Sequence, residues 1–345
     1  MKIAVVTGSY PPETCGIGDY TGRLADSLTR LGVAVEVVRK DSWHLGKLPS
    51  VVRAIRLARP DVVHIQYPTA GFGWHLTPQF LSLIVPSVVT LHEVSEAHLI
   101  RQLSLYPFSL RSDEVIFTTS FERDYAVRRA PWIAKRTTVI PIGSNIVTGR
   151  EGQERSLSDI VYFGFFRPRK GIEEVLELSR LIQERKLPFR VRMIGKPFPV
   201  SSPYFEDLLV RSRNLPVDWD SDLDDLQVAD LLSRTAFAYM PFPDGASGRR
   251  GSLLALLANG VATLTTRGPQ TPSSLEGAVQ FVENPHTAIN ELERLKNEHV
   301  LRESLSSRAR SYASQFTWES IALRHIELYN ELLSSHDRPG QRVGR

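Results

Sequence analysis

Short apolar runs alternate along this chain with longer segments whose apolar positions recur at helical spacing. The first run, KIAVVTGS, is β-branched, ends in glycine and reads as a buried parallel strand. From Gly18 to Leu31 the apolar positions follow a helix, which stops at Gly32. AVEVVRK predicts a second strand and SVVRAIRLARP a second helix, ended by Pro60; DVVHIQY, SVVTLHE, DEVIFTTS and TTVIPIG continue the strand series. After Ile146 the stretch VTGREGQERSLSD is polar and aperiodic, as a linker would be.

The alternation then restarts with DIVYFGFF, a helix from Gly171 to Arg185, FRVRMIG, a helix around Leu223 to Leu232, and FAYMPF. A loop of small residues with two adjacent arginines follows, leading into an apolar helix that ends at Asn259-Gly260, and then VATLTT and AVQFV. From Ala288 onward the pattern is helical, SIALRHIELYNELL carries an apolar stripe, and HDRPGQRVGR reads as an unstructured tail. Strand alternating with helix implies two successive α/β domains, each a parallel doubly wound sheet with ligands at the carboxyl ends of its strands and a cleft between the two.

Composition narrows the class. At 345 residues there is room for two cores, with 42% hydrophobic and 23% charged residues. A net charge of +4, with no basic run interleaved with aromatics, argues against a nucleic-acid partner. The weak excess suits an acidic substrate or an anionic membrane surface. A single cysteine, Cys15, excludes an internal disulfide framework and a cysteine-based zinc site. No apolar run reaches the ~20 residues of a membrane span, and MKIAVVTGSYPP turns polar too soon for a signal peptide, so a cytoplasmic location is expected.

Four segments carry candidate chemistry. In GSYPPETCGIGDYTGRL a strand runs through Gly16-Ile17-Gly18 into a helix, converging backbone N–H groups at a positive helix end. The spacing is not that of a dinucleotide fingerprint; a tight turn needing glycine dihedrals is the alternative explanation, and the two can both hold. His92 and Glu93 end a buried strand; His92 can donate to a sugar hydroxyl or a phosphate and titrates near neutrality, or else is satisfied by carbonyls. In FGFFRPRKGIEEVLEL, Gly164 ends a strand, and Arg167, Arg169 and Lys170 precede a helix, a setting for a diphosphate or merely a solvated basic turn. The loop from Asp244 through Gly245, Ala246, Ser247, Gly248, Arg249 and Arg250 to Ser252 joins cations to a helix start in the same way, with Ser252 expected to cap the helix. Asp220 and Asp222 could be read as a metal site, but before a helix they are read as capping residues.

Taken in order, PP..CGIGDYTGRLADSL, TLHE, IPIGSN, FGFFRPRKGIEEVLE, DLQVADLLSRTAFAYMPF with DGASG...LLANG, and FTWESIALRHIELYNELL resemble the GT-B-fold, retaining, nucleotide-sugar-dependent glycosyltransferases of the glycogen-synthase-like family four. The resemblance covers nearly the whole chain. It implies two Rossmann-like domains facing across a cleft: an acceptor-side domain over 1–147, a linker at 148–158 and a donor domain over 159–316. A helix over 317–335 would return to the first domain, leaving a disordered tail from 336 to 345.

The resemblance also implies roles. Lys170 and Arg167 would stabilise the leaving diphosphate, with Arg249 or Arg250 and the Ser252 N–H assisting; His92 would hydrogen-bond the donor sugar and Asp244 a sugar hydroxyl. Gly164 and the loop from 244 to 252 would line the donor site, and Gly16, Ile17 and Gly18 the acceptor or phosphate loop. The donor would be a nucleotide-diphosphate sugar, used without cofactor or divalent metal. The acceptor, whether sugar, lipid or polysaccharide, is not named by the sequence, and peripheral contact with an anionic membrane is a further partner class. Two departures stand out. Phe165 occupies the position where the family has arginine, which Arg167 would replace, and Ala255 aligns with the family's second glutamate, the usual ribose ligand. Two alternatives stay open: a nucleotide-sugar 2-epimerase of the same fold, using Glu93 and Asp244 as acid and base, and a catalytically inactive GT-B domain acting as a partner.

Overall fold

The computed structural model describes residues 1–336 except 14, 96, 145, 147, 151 and 198–202. The stretch from 337 to 345, expected to be an unstructured tail, lies outside them. Two six-stranded sheets organise the chain, and every strand pair in both is parallel. The chain divides into two units, Met1–Gly143 together with the segment from Trp318, and Ser144–Thr317.

The first unit runs β1 (Lys2–Val6), α1 (Gly16–Arg30), β2 (Ala34–Val38), α2 (Leu48–Ala58), β3 (Val62–Tyr67), α3 (Thr77–Ile84), β4 (Val88–Leu91), α4 (Leu99–Leu103), α5 (Tyr106–Arg111), β5 (Glu114–Phe117), α6 (Ser120–Arg129) and β6 (Thr137–Val139). Its sheet order is β2-β1-β3-β4-β5-β6. β1 shows why the strands read as continuous apolar runs. Ile3 and Val5 pack on one face with Leu24 and Leu28 of α1, whereas Ala4 and Val6 pack on the other with Val51 and Ile55 of α2.

The second unit runs β7 (Ser156–Phe163), α7 (Ile172–Glu184), β8 (Arg190–Ile194), α8 (Pro203–Ser212), β9 (Val217–Asp220), α9 (Asp225–Ser233), β10 (Thr235–Met240), α10 (Gly251–Ala258), β11 (Ala262–Thr265), β12 (Gln280–Phe281), α11 (Pro285–Asn297) and α12 (His299–Ala313). Its order is β12-β11-β10-β7-β8-β9. β7 begins at Ser156, inside the polar stretch expected to be linker, because Ser156 pairs with Thr235 of β10 although its neighbours are polar. The final helix, α13 (Trp318–His336), packs on α1 in the first unit. There Ile321, Ala322 and Tyr329 join the core that contains Ile3 and Val5, and Trp318 O accepts a hydrogen bond from Ser27 Oγ at 3.0 Å.

Sequence periodicity passes over several elements. α6, SFERDYAVRR, has too few apolar residues to show a stripe and is set instead by Thr119, whose side chain accepts from Glu122 N. β9, VDWD, is an edge strand with every residue half-buried, so it lacks the apolar run of the central strands.

Tyr329 is completely buried in the first unit's core, with its hydroxyl 2.6 Å from His64 Nδ1. Tyr329→Ala should therefore cost about 3–5 kcal/mol of stability, measurable by urea denaturation, because it leaves both a cavity and an unpartnered ring nitrogen.

Candidate functional site

In the second unit the strand order reverses between β7 and β10, the position in an open parallel sheet where the loops beyond the strand ends separate and leave room for a ligand. The two loops there are the ones that carry the candidate cations. After β7 the chain turns through Gly164 to Lys170; after β10 it runs from Pro241 to Arg250. They meet at Gly171, the N-cap of α7, whose φ is +73°. A β-carbon built there would lie 1.8 Å from Pro241 O, so only glycine lets the loops approach this closely.

The cation loop is pinned from beneath. Phe166 is wholly buried, its ring stacked on Phe205 at 5.3 Å and edge-on to Trp219 at 5.0 Å. Phe166 N donates to Lys196 O, and Arg167 N donates to Phe165 O at 3.1 Å, a tight turn of the backbone. Phe165, Arg167 and Arg169 are exposed and Lys170 is half-buried. Arg169 adopts a left-handed φ of +63°, an uncommon conformation for a side chain of this size.

Tyr162, which sequence reasoning absorbed into a strand, stands between the two loops. Its hydroxyl donates to Lys170 O at 3.3 Å. Burial pushes its pKa up; Arg250 pulls it down, Glu173 pushes it up and Arg167 pulls it down by less. One tyrosine thus reports cations from both loops at the same place.

The loop after β10 is less free than its composition suggests. Gly245 N donates to Phe242 O, Ala246 N to Thr266 O and Arg250 N to Ser247 O, and Gly245, Ala246 and Ser247 are buried. Those amides are consumed within the protein, so they do not form a phosphate cradle. Arg250 pairs with Asp244 and lies over the Phe242 ring at 4.6 Å; Arg249 Nη2 donates to Gln270 Oε1 at 2.8 Å. Asp244 and Arg250, expected to serve sugar and diphosphate separately, hold one another here. Gly248, Arg249 and Arg250 are half-buried at the rim.

Ser252 does not cap α10. The helix begins one residue earlier, at Gly251, with Arg250 at the N-cap and no side-chain cap, so the N–H groups of Gly251 and Ser252 lack intrahelical acceptors. Ala255 is fully buried and its carbonyl accepts from Asn259 Nδ2, leaving no polar group there for a ribose. Asp220 and Asp222 do not cap α9 either. That role falls to Asp224, which forms a capping box with Gln227, while Asp220 ends β9 and pairs with Arg192 of β8 at 2.8 Å.

In the first unit, Gly16, Ile17 and Gly18 lie within the first turn of α1, where both glycines are helical, so no special turn dihedral explains them. A β-carbon at Gly16 would meet nothing within 4 Å, whereas one at Gly18 would press on Ser9 O at 3.2 Å. His92 follows β4 and is only 8% exposed. Its Nε2 lies 2.8 Å from Gln66 Oε1, and Gln66 Nε2 lies 3.2 Å from His64 Nε2, which also meets Thr90 Oγ1 at 2.7 Å. With the amide in this orientation, His92 donates from Nε2 to Gln66, Gln66 and Thr90 donate to His64 Nε2, and His64 donates from Nδ1 to Tyr329.

Burial, followed by the nearby His325, depresses the His92 pKa to about 3. The expected titration near neutrality is therefore corrected: His92 is a neutral imidazole whose remaining nitrogen accepts hydrogen bonds and cannot donate to a phosphate. The neighbouring loop is held by Glu122, which accepts from Val94 N and Ser95 N, both at 2.9 Å. Gln66 and Glu122 escaped sequence reasoning, which considers His64 only as a metal ligand, for which its spacing to other histidines is wrong. The alternating polar positions in HIQY were the available signal for His64 and Gln66.

Residues 39–146 match the family model for Glycosyltransferase Family 4. No curated protein sequence matches the chain. Among solved structures, a glycosyltransferase from Rickettsia africae ESF-5 is 14% identical with a TM-score of 0.75, the alignment covering 96% of this chain and 98% of that one. Sucrose-phosphate synthase from Thermosynechococcus elongatus is 17% identical with a TM-score of 0.68, covering 97% and 100%. Anabaena HepE, solved in complex with UDP and glucose, is 16% identical with a TM-score of 0.70, covering 96% and 100%. The chain has the GT-B fold of these structures, and the family-four match lies almost wholly within its first unit.

His64, His92 and His325 are all buried with depressed pKa values, His325 to about 4. In the unfolded chain each takes up a proton near its ordinary pKa of about 6.5, so the unfolded state binds more protons below that pH. Stability should be full above about pH 7 and should fall as the pH drops from about 6.5 toward 3. His325→Leu should flatten that slope in urea titrations run at successive pH values.

Proposed function

We propose that the protein transfers a hexose from a nucleotide-diphosphate sugar to an acceptor hydroxyl, with retention of anomeric configuration and without a divalent metal. The second unit holds the donor. The observation that carries this reading is the meeting of the two cation-bearing loops at the β7–β10 reversal, tied by Gly171 against Pro241 and centred on Tyr162. HepE, of similar fold, was solved with UDP and glucose, which supports a donor of this class.

The chemistry asks the protein for position and charge. As the bond between the sugar and the diphosphate breaks, negative charge grows on the phosphate oxygens, and preorganised cations stabilise that charge more than the ground state. Lys170 and Arg167 carry most of this, and the N–H groups at the α10 start, which lack intrahelical acceptors, add to it. The tight turn that joins Arg167 N to Phe165 O keeps the two residues close, which supports the view that Arg167 replaces the arginine the family has at that position. Arg250 assists once its pairing with Asp244 is given up, which frees Asp244 for a sugar hydroxyl. His92, being neutral and already donating from Nε2 to Gln66, has only an acceptor nitrogen left for any sugar hydroxyl. With Ala255 buried, base and ribose selection rest on other residues of the second unit.

A thermal-shift screen against UDP, GDP, ADP and CMP sugars should raise the melting temperature with one nucleotide class, since a ligand that binds only the folded state stabilises it. Transfer from that donor should persist in EDTA; loss restored by manganese would refute metal independence.

With the donor in hand, Lys170→Ala should lower turnover about 100-fold, and Arg167→Ala at least ~10-fold. Arg169→Ala should change turnover little. If Arg169 is the costly position, the loop presents the other arginine to the phosphates. If none of the three matters while transfer continues, the diphosphate is held elsewhere.

A further inference from the structure

Twelve of the nineteen large apolar side chains exposed on the described residues lie between Leu45 and Trp132, a concentration unlike the single exposed apolar residues normal on a protein surface. They belong to elements that touch one another. α2 buries Val51, Ile55 and Ala58 and turns Arg53, Arg56 and Leu57 outward, with Leu57 at 73% exposure. Between α2 and the end of α3 runs a groove of about 850 Å³ whose walls include Val52, Leu57 and Ile84 and whose rim carries Arg53, Arg56 and Arg59. α3 packs on both α2 and α5.

Trp74, just before α3, is 70% exposed and lies under the Arg101 guanidinium at 4.9 Å. Arg101 also donates to Gly73 O at 3.0 Å, which fixes α4 beside that tryptophan. α4 buries none of its residues, and its Leu99, Ile100 and Leu103 all face outward. α4 is held by polar contacts, with Arg101 on Gly73 and Gln102 donating to Ala97 O at 2.8 Å and accepting from the Tyr125 hydroxyl at 3.0 Å, so its three apolar side chains are left facing outward for a partner.

The charge of this region says which partner. From Ser42 to Ser112 the sequence holds six lysines and arginines against three carboxylates. One of the three, Asp61, is engaged by Lys2 N at 2.7 Å. A second copy meeting this face symmetrically would oppose cation to cation. An anionic bilayer complements both properties at once, taking the apolar side chains into the acyl boundary while arginines reach its phosphates. Among the described residues no helix is long and apolar enough to cross a membrane, so the contact is peripheral.

We propose that the face formed by α2, Trp74, α3 and α4 docks on a membrane rich in anionic lipid. This goes beyond the donor-site reading and does not depend on it.

The test is co-sedimentation of the full chain with vesicles of phosphatidylcholine alone or mixed with phosphatidylglycerol. The bound fraction should be at least ~10-fold higher on the mixed vesicles and should fall at high ionic strength. Arg53→Glu/Arg56→Glu and Leu99→Glu/Ile100→Glu should each reduce binding about 10-fold. Val300→Glu, at an exposed apolar position of α12 in the second unit, should not. All these side chains are exposed, so the fold, checked by circular dichroism, should survive. Equal binding to both vesicles, no binding to either, or undiminished binding by both double variants would overturn the proposal. So would a concentration-dependent dimer abolished by the same substitutions, which would make the face a contact between copies of this chain.

Discussion

Parallel pairing of β7 with β10 at the reversal of the second sheet is the constraint on which the candidate donor site depends. It sets two loops side by side at the carboxyl ends of the two central strands and obliges them to pack, and the packing is close enough that the residue at their meeting point must be glycine. Everything cationic at the site follows from that contact. Phe166, anchored between Phe205 and Trp219, presents its neighbours outward, and Tyr162 joins the loops through Lys170 O. The positions of Arg167 and Lys170 are therefore consequences of aromatic packing several residues away, which is how a solvent-facing cation acquires a defined place without being buried.

The first unit achieves order differently. Its sheet buries a line of polar groups, Tyr329, His64, Gln66 and His92, each satisfied by the next. A buried network of this kind is tolerable only when its members are neutral and paired, and the depressed histidine pKa values are the electrostatic expression of that requirement. One end of the line is in α13, nearly at the end of the chain, and the other is the histidine after β4. The protonation state of His92 is thus set partly by a helix more than two hundred residues away in sequence.

The alternation of apolar runs with helical spacing determined the α/β class, the two parallel sheets and most of their central strands, because a strand covered on both faces must be apolar throughout and the chain advertises it. The same reading located the cation loop and the loop before α10, since glycine, arginine and a helix start are adjacent in sequence. It could not find what depends on distant partners. Which aspartate caps α9, whether Asp244 stands alone or pairs with Arg250, whether the amides of Gly245 and Ala246 are free, and whether His92 is charged were all decided by groups brought close only by folding. A sequence carries the identity of each polar group, but its pKa and its hydrogen-bond partner belong to the surroundings that the tertiary structure supplies.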